Sequence, residues 1–135
     1  MTYAISAALQ SAVYDQLIGN AALTALVGDD IYDALPQGPL PSLYLTLGAE
    51  TVRDASDGTG YGAWHDLTVA VVTDAAGFHM AKTVAAAASD ALVDAGLALS
   101  RGRLVSLNFR RATARRQSGG RRRIDMTFRA RVAED

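Results

Sequence analysis

The sequence predicts an α+β fold: a mainly antiparallel sheet of about four to five strands, helices packed on one face, and a C-terminal β-hairpin arm. Three observations carry this. Apolar residues recur at helical spacing near the N-terminus and again in an alanine-rich stretch after Gly77. Elsewhere they alternate with period two, the mark of half-buried strands. The last two alternating runs flank Gly119-Gly120, and their parities place both apolar sets on one face of an antiparallel pair. With 135 residues and 50% hydrophobic content, residues 1–135 are expected to form a single domain around one core.

Ile5, Leu9, Val13 and Leu17 define the first helix, about Tyr3 to Ile18, stopped by Gly19-Asn20. A shorter helix, Ala21 to Val27, has Asn20 as its N-cap and Gly28 at its end, and pairs with the first as a helical hairpin. Ile31-Tyr32 is a short extended piece, after which Pro36, Pro39 and Pro41 enforce an irregular connection. Leu43, Leu45 and Leu47 mark one strand, and Leu67, Val69 and Val71 the next. Arg53 to Gly62 between them, rich in Asp, Ser and Gly, reads as a loop. The alanine-rich helix spans about Phe78 to Ala95, with Met80, Val84, Ala87, Ala91 and Leu92 as its apolar stripe.

The final hairpin joins Arg103–Ala114 to Arg121–Val132. Val105, Leu107 and Phe109 are apolar at odd numbers, and Ile124, Met126, Phe128, Ala130 and Val132 at even ones. A two-residue turn sets Ser118 opposite Arg121, Arg110 opposite Arg129 and Arg116 opposite Arg123, placing like charges across the pair at about 0.2–1 kcal/mol each. Beyond Phe109 the apolar pattern of the first strand stops, so the tip is expected to extend past the core as a two-stranded ribbon.

Charge is the most unusual property. Residues 101–131 hold eleven arginines and one carboxylate, Asp125, a formal charge of +10 in a chain whose net charge is −1. The remainder therefore carries −11, including Asp29, Asp30, Asp33, Glu50, Asp54, Asp57 and Asp66. Such polarity calls for a charged partner or a second copy of the chain. The candidate contact residues are Arg110, Arg111, Arg115, Arg116, Arg121, Arg122 and Arg123 at the hairpin, with Asp54 and Asp57 as their acidic complement. A head-to-tail contact between the two sets closes into a ring when the rotation allows. The rival reading is a basic-arm nucleic-acid-binding module, but the arm has no interleaved aromatic for base stacking and the pI is about 6.1.

Chemistry-bearing motifs are few. No cysteine is present, which excludes disulfides, thiolate metal sites and a cysteine nucleophile. Gly58-Thr59-Gly60-Tyr61-Gly62 lacks the lysine of a phosphate-binding P-loop and leads into a strand rather than a helix. Asp54 to Gly58 starts like a calcium loop, but its spacing is one residue short and His65 stands where the closing glutamate belongs. His65 and His79 have no metal-ligand spacing, and both read as surface or half-buried side chains. Catalytic residues, metal ligands and cofactors are accordingly read as none. No apolar run reaches the ~18 residues that span a bilayer. The N-terminus lacks the basic start and apolar block of a signal peptide, so a cytoplasmic product with no membrane partner is expected.

Four strings, in order, carry a family resemblance: Ile31-Tyr32-Asp33-Ala34-Leu35-Pro36, Pro41-Ser42-Leu43-Tyr44-Leu45-Thr46-Leu47-Gly48, Trp64-His65-Asp66-Leu67-Thr68-Val69, and Arg103-Leu104-Val105-Ser106-Leu107. Together with the two helical regions they cover nearly the whole chain, which resembles the tail terminator, or tail-completion, proteins of long-tailed bacteriophages and phage-like gene transfer agents. The tip from Arg115 to Arg123 is more basic than that family suggests. The resemblance implies a non-enzymatic homo-oligomer, a hexameric ring that caps the tail tube, stops its polymerisation and offers the surface for head-tail joining. Its implied partners are the tail tube protein and a head-tail connector or stopper protein, with DNA passing through the lumen. The implied location is the head-tail interface of a phage-like particle assembled in the bacterial cytoplasm.

Overall fold

The alternating runs become one five-stranded sheet in the computed structural model, which describes residues 3–58 and 60–134. Met1-Thr2, part of the N-terminus tested for a signal peptide, and Thr59 of the glycine-rich stretch lie outside the described residues. The strands are β1 (Ile31–Tyr32), β2 (Leu43–Asp54), β3 (Tyr61–Thr73), β4 (Arg103–Gln117) and β5 (Arg121–Glu134), in spatial order β1-β2-β3-β5-β4. Only the β1–β2 pair is parallel. Helices α1 (Ser6–Ile18), α2 (Ala21–Val27) and α3 (His79–Leu92) lie on one face; α3 packs on β3 and β5, while α1 and α2 pack against α3. The expected α+β architecture is the observed one.

Alternation explains which residues face the helices. Ala63, Leu67, Val69 and Val71 of β3 pair with Val132, Phe128, Met126 and Ile124 of β5, and all are buried against Leu9, Val13, Leu17, Val84 and Leu92. Alanine on α3 permits this close approach: Ala81, Ala85, Ala88 and Ala91 are buried with Val84 and Leu92. The stripe is therefore rotated from the expected one, and Met80 is 44% exposed. At α2, Asn20 Oδ1 accepts a hydrogen bond from the Leu23 N–H, and Gly28 ends the helix at a positive φ of 59°.

Three one-residue bulges modify the sheet, and none was legible in the alternation. In β2 the register slips between Leu47 and Glu50, and the strand continues to Asp54, two residues into the expected loop. In β4 it slips between Leu104 and Ser106 and between Phe109 and Arg111. The hairpin turn is also one residue longer than expected: Ser118–Gly120 forms it, and Gln117 pairs with Arg121. Arg129 therefore faces Asn108 rather than Arg110, and Arg123 faces Arg115 rather than Arg116.

The C-terminal hairpin stands where it was expected, with a support that the sequence did not reveal. β5 is an inner strand paired with β3 as far as Arg122, so its basic end is backed by a third strand and, of the hairpin's two strands, β4 is the one at a sheet edge. Nor does the inward pattern of β4 end at Phe109: past the bulge it resumes at even numbers, with Ala112 opposite Met126 and Ala114 opposite Ile124.

Candidate interaction surface

The charged residues singled out in the sequence occupy two ends and one face of the sheet. At one end, Arg121 donates to the Pro41 carbonyl at 3.2 Å and lies over the Tyr44 ring, while Arg122 donates to the Ala75 carbonyl at 3.0 Å and lies over Phe78. Arg123 and Arg115, directly opposite each other, share the Asp125 carboxylate at 2.8 and 3.5 Å. That shared carboxylate offsets the like-charge repulsion of the pair. Arg116 is exposed, and its side chain makes no hydrogen bond or ion pair among the described residues. Four of the five tip arginines thus have partners within the fold at this end, two on loop carbonyls and two on one carboxylate.

Asp54 and Asp57 lie at the other end, in the β2–β3 connection. Asp54 accepts from the Ser56 hydroxyl at 2.6 Å and from its N–H, and these bonds hold its carboxyl below the usual carboxylate range. Asp57 accepts from the Gly60 N–H at 3.1 Å and closes the loop. The register places this loop beside Tyr61 and Glu134, whereas the basic tip lies beside Thr73 and Arg122. Thirteen strand residues at ~3.3 Å each separate the two ends by roughly 40 Å, so no single chain brings these acids to its own tip.

Arg110 and Arg111 sit apart from both, on the sheet face opposite the helices. With Ala49, Thr51, Asp66, Thr68, Thr127 and Arg129 they line a hollow of about 370 Å³. Arg129 grips Asp66 through two nitrogens at 2.9 and 3.4 Å, and this pairing holds the Asp66 carboxyl below its ordinary value. Trp64 lies beneath both Arg129 and Arg131, with guanidinium-to-ring distances of 5.7 and 5.4 Å.

The sequence reading missed a polar cluster on the helix-facing side. The β2 bulge turns Glu50 inward, where its carboxylate meets Ser6 Oγ at 2.8 Å, Tyr3 Oη at 2.9 Å and His65 Nδ1 at 3.0 Å. His65, expected at the surface or half-buried, is fully buried, and its Nε2 has no hydrogen-bond partner. Burial pushes the Glu50 carboxyl up, but the bonds from His65, Ser6 and Tyr3 outweigh it and leave the group below the usual carboxylate range. The cluster ties the start of α1 to the sheet. It does not form a nucleophile–base relay, because the Ser6 hydroxyl donates to the carboxylate rather than to the imidazole.

Residues 11–133 match the family described as tail completion protein gp17. The chain belongs to that family. A solved chain within the "Virion of native gene transfer agent (GTA) particle" is 60% identical to this one, with a TM-score of 0.93 over 98% of this chain and 99% of that chain. No curated protein matches it. The tail-completion family anticipated from four short strings is thus the family shown, and its fold is the bulged five-stranded sheet described above. Among the described residues of this tail completion protein, no three His, Cys, Asp or Glu side chains gather in a way that could hold a metal ion, and no helix is long and apolar enough to cross a membrane.

Proposed function

We propose that the protein is a non-enzymatic tail terminator: a single domain over residues 1–135 that assembles with copies of itself into a hexameric ring, caps the tail tube and stops its growth. One face of the ring meets the last ring of tube protein, and the other meets the head-tail connector or stopper protein. The protein thus resides at the head-tail interface of a phage-like particle and assembles in the bacterial cytoplasm, with DNA passing through the lumen during delivery. The observation that carries this reading is the near-complete match to a chain within a gene transfer agent virion, together with membership of the tail-completion family.

The charge layout supports the self-assembly part. A heterologous contact needs complementary surfaces at different places on one subunit. Arg115 and Arg116 with Arg121–Arg123 at one end of the sheet, and Asp54 and Asp57 at the other, satisfy that requirement. The decisive experiment mixes the protein with polymerising tail tube protein and measures tube length by electron microscopy. Tubes capped at a length set by the terminator-to-tube ratio are expected; unchanged length at saturating terminator refutes the reading.

A further inference from the structure

The hollow on the helix-free face is built by two bulges at the same level of the sheet. In β2, Gly48 and Ala49 share a place opposite Thr68; in β4, Arg110 and Arg111 share a place opposite Thr127; and Thr68 pairs with Thr127 between them. Regular alternation would send successive arginines to opposite faces, whereas a bulge re-aims one of them. Here both line the same hollow.

Neither the Arg110 nor the Arg111 side chain makes a hydrogen bond or ion pair among the described residues, and the one carboxylate present, Asp66, is already held by Arg129. Three guanidiniums against one carboxylate leave a formal charge of +2, beside the hydroxyls of Thr51, Thr68 and Thr127. Everything uncommitted in the hollow can donate a hydrogen bond to an anion. Ala49 is its only apolar side chain, unlike the apolar and aromatic centre of a protein–protein contact. Donors arriving from three strands and from the β4 bulge suit a ligand with several acceptor oxygens better than a carboxylate with two.

We infer that this hollow binds a phosphate group, supplied by a nucleic-acid backbone or by free phosphate, with Arg110 and Arg111 as its primary contacts. The inference is independent of ring formation and concerns a different part of the hairpin from the basic tip. Shape and hydrogen bonding rather than overall charge set the affinity, since the whole chain is slightly acidic.

The test uses the full chain and a fluorescent ~20-base-pair DNA duplex, followed by anisotropy from 50 to 200 mM KCl. The Arg110→Gln/Arg111→Gln variant is expected to lose at least tenfold in affinity and to flatten the slope of log K against log salt by about 1.8, as for two lost phosphate contacts. Lys82→Gln/Arg101→Gln removes the same charge away from the hollow and is expected to cost less than about threefold. Inorganic phosphate should displace the duplex better than chloride at equal ionic strength, in the wild type but not in the arginine variant. If the duplex does not bind but phosphate alone protects the wild type and not the variant against thermal unfolding, the site stands with free phosphate as its source. Equal losses in the two double variants, no response to either probe, or tighter binding of a polyglutamate peptide than of the duplex overturns the assignment.

Discussion

Replacing Glu50 by Gln tests the buried cluster that fastens α1 to the sheet. The carboxylate accepts from three side chains within 3.0 Å, and its own side chain is 16% exposed. Glutamine keeps the size and one acceptor oxygen, but it loses the charge and points an N–H₂ group at donors that have nothing to give it. Hydrogen bonds to a charged group contribute about 1.5–3 kcal/mol each. The Tyr3 bond is exposed and contributes little, so the net loss is set by Ser6 and His65, about 2–3 kcal/mol after allowing for the oxygen retained. For a domain of this size that lowers Tm by roughly 6–12 °C.

The pH dependence gives the sharper test. Glu50 titrates lower in the folded chain than in the unfolded one, where glutamate has a pKa of ~4.3. Its contribution is therefore fully present above that unfolded value and is lost as pH falls through the folded one. Urea unfolding of wild type and Glu50→Gln should show the full gap at pH 7, narrowing on acidification toward pH 3. A gap below about 0.5 kcal/mol at neutral pH, or one that stays constant down to pH 3, would refute this account of the cluster.

Other substitutions probe the frame. Gly102 has φ of 70°, and a Cβ there would stand 2.6 Å from Ile5 Cδ1 and 2.9 Å from the Ala133 carbonyl, so Gly102→Ala should cost about 2–4 kcal/mol in urea unfolding with an unchanged m-value. Ala88 is fully buried where α3 meets the core, and Ala88→Leu should destabilise by about 1–3 kcal/mol through overpacking, measured by calorimetry. For Arg129 and Asp66, a double-mutant cycle with alanine should give a coupling energy of about 0.5–1.5 kcal/mol, the half-buried, two-bonded geometry placing it toward the upper part of what surface pairs yield. Arg121→Ala removes the bond to the Pro41 carbonyl, and faster amide hydrogen exchange in residues 36–42 is the expected readout.

Helices were legible where apolar spacing and end signals agreed. Asn20 and Gly28 bounded α2 correctly because one caps by its side chain and the other takes a positive φ. In α3 the chemistry of the residues could not fix the rotation, since alanine is equally acceptable on any face; the choice of Ala81 and Ala88 over Met80 and Ala87 came from packing against β3 and β5. Strand identity was equally clear, and β5 alternates without a break from Ile124 to Val132.

The candidate contact residues were legible only in part. Nine charged residues could be named from composition, but their grouping depended on pairings and bulges that alternation does not encode. Arg121 and Arg122 turned out to hold loop carbonyls, while Arg110 and Arg111, indistinguishable from them in the sequence, remain available to a ligand. Glu50 looked like one more surface acid because Gly48-Ala49 conceals the slip that turns it inward.

The extra residue at Arg110 works as a shift of reading frame written in geometry. Between the two bulges of β4, odd-numbered Leu107 and Phe109 face the helix side, and beyond Arg110 the even-numbered side chains do. Deleting that one position would restore regular alternation, with Arg111 still opposite Thr127 and Ala112 and Ala114 still opposite Met126 and Ile124, whereas deleting Thr113 beyond the bulge would bring Arg115 to the side of Ala112 and turn Ala114 to the other. The effect of a one-residue change in length therefore depends on whether the residue is the unmatched one or a paired one. The lengths of this strand and its turn, as much as their composition, constrain how the edge of this molecule can vary.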